Sequence, residues 1–272
     1  MKLQRLEYKY LVPFSKINEL RSALNPFVSI DEYAEREENK EYTVHSIYLD
    51  TMKLDDYHEK LAGIKIRKKL RIRGYNNIDE NCTVFLEIKR KYENHISKNR
   101  APLLYANLEN ILKTADYEKY LLKKKNFLDS KNDACKFFYL SKMKNCSPVV
   151  LINYEREAFF SKHDSTLRLT FDKNLRSSSF PKFTTLFDDT AMKYSMSGNF
   201  ILEIKFFNGF PSWLQKILSR FELRRQALSK YTISVDSHKD LCSIVDKKNL
   251  LLPSLVPNYK TYFMKAEIKN VG

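Results

Sequence analysis

Glycine is nearly missing from this chain, with 5 among 272 residues. No GxxxxGK segment occurs, so a nucleotide would not be cradled as in P-loop enzymes. Cysteine is sparse as well. Cys82, Cys135, Cys146 and Cys242 form no CxxC pair, which argues against a thiolate zinc site and for reduced thiols. The five histidines (His45, His58, His95, His163 and His238) lack HExxH-type spacing, so an imidazole-held metal is not expected either. The opening MKLQRLEYKYLV is charged from the start and does not read as a signal peptide. No apolar run approaches the roughly 18 residues that a membrane helix needs. The expected setting is cytoplasmic, extending to the inner face of a membrane through basic residues. No Ser/Gly-rich linker divides the chain, and nothing matches the aromatic RNP motif of RNA-binding domains.

Positive charge is abundant. Lys and Arg number 48 against 33 Asp and Glu, a net charge of +15, which points to an anionic partner. The strongest local pattern is Lys65, Arg67, Lys69, Arg71 and Arg73, five cations at every second position. Their neighbours are mostly aliphatic: Ile64, Ile66, Leu70 and Ile72. Successive side chains of an extended strand point to opposite faces, so this segment sets a ladder of charge against an apolar face. Strands are expected near 3–12, 42–50, 64–74, 82–91, 149–160, 167–172, 200–207 and 228–236. Helices are expected after a Ser15 cap, over KLDDYHEKLA behind Thr51, and from Pro211 through SWLQKILSRF. One domain over 1–272 is the simplest division. It carries a helical insertion at 103–147 and a helical to irregular tail at 238–272.

Other strands repeat the pattern. One parity carries Arg5, Glu7 and Lys9; Glu87, Lys89 and Lys91; Tyr154 and Arg156; Arg168, Thr170 and Asp172; Glu203 and Lys205. Glu-x-Lys occurs three times on it. Two arrangements fit: a sheet that wets its charged face, which is ordinary for antiparallel sheets, or a sheet closed on itself with the charge inside. Recurrent arginine favours the second, because its planar fork suits bidentate phosphate binding. Enclosed cations need carboxylates and a bound anion to compensate them. Carboxylates also suit Mg²⁺ or Mn²⁺.

Eight segments, in order, resemble the VTC domain: RLEYKYLVP (5–13), SIYLDT (46–51), KLRIRGY (69–75), FLEIKRK (85–91), INYEREAF (152–159), LRLTFDKNLR (167–176), ILEIKF (201–206) and SKYTIS (229–234). The likeness runs from about residue 2 to 236. This domain is the catalytic part of the vacuolar transporter chaperone polyphosphate polymerases and their bacterial relatives, within the CYTH-like triphosphate tunnel metalloenzymes.

The resemblance implies an α+β fold: a closed antiparallel eight-stranded β-barrel, the triphosphate tunnel, with helices packed outside. It implies ATP and inorganic polyphosphate as substrates, Mn²⁺ or Mg²⁺ as cofactor, and no nucleic acid partner. Carried over by motif, the catalytic set would be Lys9, Arg71, Arg73, Lys89, Arg156, Arg168 and Lys230. Arg67, Lys98, Arg100, Tyr154, Lys205 and Ser229 would bind substrate, and Glu203, Glu7 and Glu87 would hold the metal. Eukaryotic relatives pass polymer through a membrane-embedded partner; here such a partner would be a separate protein. Two departures stand out. The hydrolytic CYTH members open with Glu-x-Glu-x-Lys, whereas this chain has Arg5-x-Glu7-x-Lys9. The lysine that polymerases often place two residues before the Ser-Lys pair is here Ala227, with Arg224 and Arg225 as nearby substitutes. The alternatives left open are a triphosphate hydrolase or another CYTH-type nucleotide enzyme, and a non-catalytic polyanion binder.

Overall fold

The computed structural model describes residues 5–76, 82–93, 95–207 and 209–244. Its strands are β1 Leu6–Pro13, β2 Val28–Ile30, β3 Tyr42–Asp50, β4 Ile66–Tyr75, β5 Thr83–Tyr92, β6 His95–Leu104, β7 Ser147–Ser161, β8 Arg168–Ser179, β9 Lys193–Tyr194 and β10 Asn199–Phe206. Its α-helices are α1 Ile17–Leu24, α2 Glu32–Glu35, α3 Asp55–Leu61, α4 Leu108–Thr114, α5 Tyr117–Tyr120, α6 Ser130–Met143, α7 Ser212–Arg220, α8 Lys230–Asp236 and α9 Lys239–Ile244.

Eight strands close into an antiparallel ring in the order β1-β10-β8-β7-β3-β4-β5-β6, and β6 returns to β1 where His95 stands opposite Leu6. β2 extends β7 and β9 extends β8. Closure follows from the period-two pattern. On most strands the apolar parity faces outward, largely under helices, while the charged parity faces the lumen. Tyr10, Val12, Leu169, Phe171, Leu202 and Ile204 pack under Leu20 and Leu24 of α1 and Leu214 and Leu218 of α7. Leu70, Ile72, Val84, Leu86 and Ile88 pack under Leu108, Ile111, Ala134 and Phe137 of α4 and α6. A third cluster includes Ile152, Ile201, Leu228, Tyr231, Ile233 and Val235, and so seats α8 against the ring.

Two expectations fail on strand identity. The stretch 228–236 is helix, capped by Ser229, whose side chain accepts from the Thr232 backbone N–H. All six residues from Lys230 to Val235 are buried, so neither parity reads as a solvent face and the alternation misleads. The eighth ring strand is instead β6, HISKNRAPLL, which carries few strand formers and a proline. Pro102 is tolerated because its backbone polar groups face away from β5, its carbonyl accepting from the Leu122 N–H instead. Smaller differences concern ends. α1 begins at Ile17 with Lys16 as its cap residue, not Ser15, and Pro211 stands just before α7 as its cap. Of the expected insertion 103–147, the helices occupy 108–143, while its first two residues close β6 and Ser147 opens β7. Residues 245–272 of the expected tail, and 3–4 of the expected first strand, lie outside the described residues.

Gly74 sits on the outer face of β4, where an added Cβ would overlap the Phe187 ring. That ring is wedged between His45 and Tyr105, with centroids 5.0 Å from each. Gly74→Ala is therefore expected to destabilise by about 1–3 kcal/mol through overpacking. Urea unfolding of the variant measures this; an unchanged midpoint would show that the Phe187 segment yields freely.

Candidate functional site

The charge ladder of β4 turns inward after its first member. The Lys65 side chain is 77% exposed and pairs outside with Glu93 at 3.6 Å. Arg67, Lys69, Arg71 and Arg73 line a cavity of about 390 Å³ within the ring. Among the described residues, thirteen lysines and arginines line it, against two carboxylates, Glu7 and Glu203. Such an excess in a restricted volume attracts anions strongly.

Buried carboxylates position several of these cations. Glu87 is fully buried, and its two oxygens accept from Arg71 Nε and Arg100 Nε, each at 2.6 Å. Asp172 accepts from Arg156 Nε at 2.6 Å and Nη2 at 2.8 Å, and Lys230 Nζ lies 2.5 Å away. Glu7 Oε1 lies 3.2 Å from both Lys9 and Lys89. Glu203 pairs with Lys205 and lies 3.6 Å from Lys9 and 3.7 Å from Lys230. Burial alone would raise the Glu87 carboxyl, but Arg71 and Arg100 outweigh it and hold the group well below the usual carboxylate range. Burial likewise opposes ionisation of Glu203, and Lys205, Lys9 and Lys230 reverse it. The site is thus a prepaid lattice of charge, rigid before any ligand arrives.

Arg73 is different. Its Nε donates to Ser46 Oγ at 2.9 Å and its Nη2 to Tyr154 Oη at 3.3 Å, both neutral partners. The residue is 4% exposed, so its guanidinium is a buried charge held by hydroxyls. Tyr48 faces the same cluster. Burial would raise its phenol, but Arg71, Arg73 and Lys89 pull it down to about 7, and it accepts from Arg71 at 2.9 Å.

Of the sixteen residues singled out from the sequence, thirteen line this one cavity: Lys9, Arg67, Arg71, Arg73, Lys89, Lys98, Tyr154, Arg156, Lys205, Ser229, Lys230, Glu7 and Glu203. Arg100 and Arg168 line the wider adjoining space of about 1340 Å³, with Arg168 tied to Asp31 at 3.0 Å. Glu87 lines neither. With both oxygens taken by guanidinium groups, it serves as an anchor for Arg71 and Arg100, a correction to its expected place among metal ligands. Of the substitutes for the absent lysine at Ala227, Arg225 reaches the cavity wall and Arg224 does not. Tyr48, Lys60 and Tyr231 also line the cavity and were missed. The alternation rule offered Tyr48 as an inward residue of β3; Lys60 lies on a helix and carried no such signal.

No group of three or more His, Cys, Asp or Glu among the described residues is placed to hold a metal. Glu7 and Glu203 supply hard oxygen donors, but each is already ion-paired. They fit a divalent ion whose shell phosphate oxygens complete, the usual manner of Mg²⁺.

A family model, the VTC domain, matches residues 4–239. The chain belongs to the VTC domain family. No curated protein matches this VTC-domain chain. Among solved structures it is similar to the PH1819 protein of Pyrococcus horikoshii OT3, with 13% identity and a TM-score of 0.44 over 86% of this chain and 99% of that one. It is similar to the Hippeastrum protein HpAC1, in which triphosphatase activity is dominant, with 16% identity and a TM-score of 0.44 over 84% and 94% of the two chains. The Mimivirus capping enzyme triphosphatase matches at 11% identity and a TM-score of 0.22, over 78% and 97%. Family membership of this chain rests on the VTC match.

Proposed function

We propose that this VTC-domain protein is a polyphosphate polymerase that transfers the ATP γ-phosphate to a growing polyphosphate chain inside the lumen. The observation that carries the reading is the enclosed excess of cations among the described residues, thirteen against two lining carboxylates, in a ring whose outer face is largely covered by packed helices. Buried Glu87 and Asp172 behind the wall pair with some of these cations, and the excess that remains is left for a polyanion.

Phosphoryl transfer asks the protein for positioning and charge stabilisation more than for covalent help. The acceptor chain brings an ionised oxygen, so no general base is required, consistent with a lumen that no histidine among the described residues lines. Arg71 and Arg73 clamp the triphosphate from β4. Lys9, Lys89 and Lys98 continue the wall on β1, β5 and β6. Tyr154 and Arg156 face them from β7, and Ser229 and Lys230 reach in from the start of α8. Arg168 and Arg100, beside the wider space, meet phosphates outside the clamp. Glu203 and Glu7 would hold Mn²⁺ or Mg²⁺, which neutralises charge on the transferring group. Lys205 stands next to Glu203 and meets the displaced phosphate oxygens. No helix among the described residues is long and apolar enough to cross a membrane.

Incubation of the purified protein with ATP and Mn²⁺ tests this. Long polyphosphate with stoichiometric ADP is expected on a gel and by nucleotide chromatography. Orthophosphate with no polymer would establish a triphosphatase instead. Tight polyphosphate binding without ATP turnover would establish a binding module and make Ala227 the first place to look.

A further inference from the structure

Of the lumen cations given no part above, Lys69 stands out by its buried amine. Lys69 lies between Arg67 and Arg71 on the inward parity of β4, yet its Nζ is shielded from solvent and has no hydrogen-bond partner. It sits 4.0 Å above the centre of the Tyr231 ring, a cation–π contact. Its nearest carboxylates are committed elsewhere. Asp50 accepts from the backbone of Thr51, Asp56 and Tyr57 and from the Tyr231 hydroxyl at 2.6 Å. Asp56 is paired with Lys144 at 3.0 Å. Buried polar groups without partners are rare, and a lysine of the cavity wall with its amine in that condition points to a ligand that satisfies it.

We propose that Lys69, with Arg67 beside it, forms a further phosphate subsite at the Tyr231 end of the lumen, extending the register of a bound phosphate chain past the Arg71–Arg73 clamp. This rests on the polyphosphate reading above. The ligand class is an inorganic polyphosphate long enough to pass the clamp.

The groups facing Lys69 are Tyr48 and Asp50 from β3, Asp56 from α3, Arg67 on its own strand, Lys89 across on β5 and Tyr231 from α8. Burial lowers the amine most; Asp56, Tyr48 and Asp50 oppose this and Arg67 adds to it, leaving the group at about 7. At pH 8 the amine of the free protein is therefore mainly neutral. A phosphate arriving at the subsite favours the ammonium, so the amine takes a proton from solvent as the anion binds. Affinity then falls as pH rises above 7, and Tyr48, which gains negative charge over the same range, acts in the same direction.

The test is isothermal titration with long-chain inorganic polyphosphate between pH 7 and 9, in two buffers of different ionisation enthalpy. Wild-type protein is expected to bind with proton uptake at pH 8. Lys69→Met is expected to bind roughly tenfold or more weakly, the effect of losing one charge-assisted contact, and to take up fewer protons. Lys69→Arg keeps a cation that does not titrate, so it is expected to bind well with flattened pH dependence, which separates the subsite from a folding defect. If both variants match wild type in affinity and proton uptake, the subsite is overturned and the polyphosphate reading stands. If wild type itself binds no polyphosphate, that reading falls and the subsite with it.

Discussion

Glu87→Ala is expected to be the most damaging single substitution in the lumen wall, costing about 3–5 kcal/mol of stability, the usual penalty for removing one partner of a buried ion pair. The reason is local. Glu87 is fully buried, and its oxygens are the carboxylate partners of Arg71, whose side chain is 5% exposed, and of Arg100. Removing it leaves the Arg71 charge buried with Tyr48 as its remaining hydrogen-bond partner, and Arg100 with the Tyr75 hydroxyl and the Phe85 ring alone. Chemical denaturation measures the loss directly. A metal-ligand role gives a different result: near-normal stability with a shifted metal requirement. That outcome would return Glu87 to the carboxylates expected to hold Mn²⁺ or Mg²⁺.

Arg73→Ala is expected to do the reverse, sparing the fold and abolishing most binding. The partners of Arg73, Ser46 and Tyr154, are neutral, so no buried carboxylate is stranded by its removal. Repulsion from Arg71, which opposes the Arg73 charge after burial itself, is relieved. The loss falls on the ligand. A bidentate charged contact contributes about 1.5–3 kcal/mol, so tripolyphosphate affinity should drop roughly 10- to 150-fold with an almost unchanged melting temperature. Equal affinity in the variant would mean that phosphate does not meet this guanidinium. Paired with Glu87→Ala, the experiment separates cations that the protein neutralises for itself from cations left for the ligand.

The fold could be read where each strand had two unlike faces. Leu70 and Ile72 against Arg71 and Arg73, or Leu202 and Ile204 against Glu203 and Lys205, fix both the strand and its inward side, because one parity must be buried under helices. Legibility failed where that contrast vanished. β6 has polar residues on both parities and a proline, so its identity comes from pairing with β5, a contact far from local sequence preference. The segment 228–236 failed for the opposite reason, since burial on every side makes a short helix resemble a strand. The site was legible through the same alternation and through the motifs that resemble the VTC domain. The distinction between Glu87 and Glu203 was not: both stand in Glu-Ile-Lys tripeptides. Only the cross-strand neighbours, Arg71 and Arg100 for one and Lys9 and Thr170 for the other, give them different work.

A crystal structure of the protein with tripolyphosphate and Mn²⁺ tests the enclosed phosphate path most directly. Phosphates inside the ring, against Arg71 and Arg73 and with the metal near Glu203, are the expected result. An anion bound only on the outer surface, with water alone in the lumen, would contradict it.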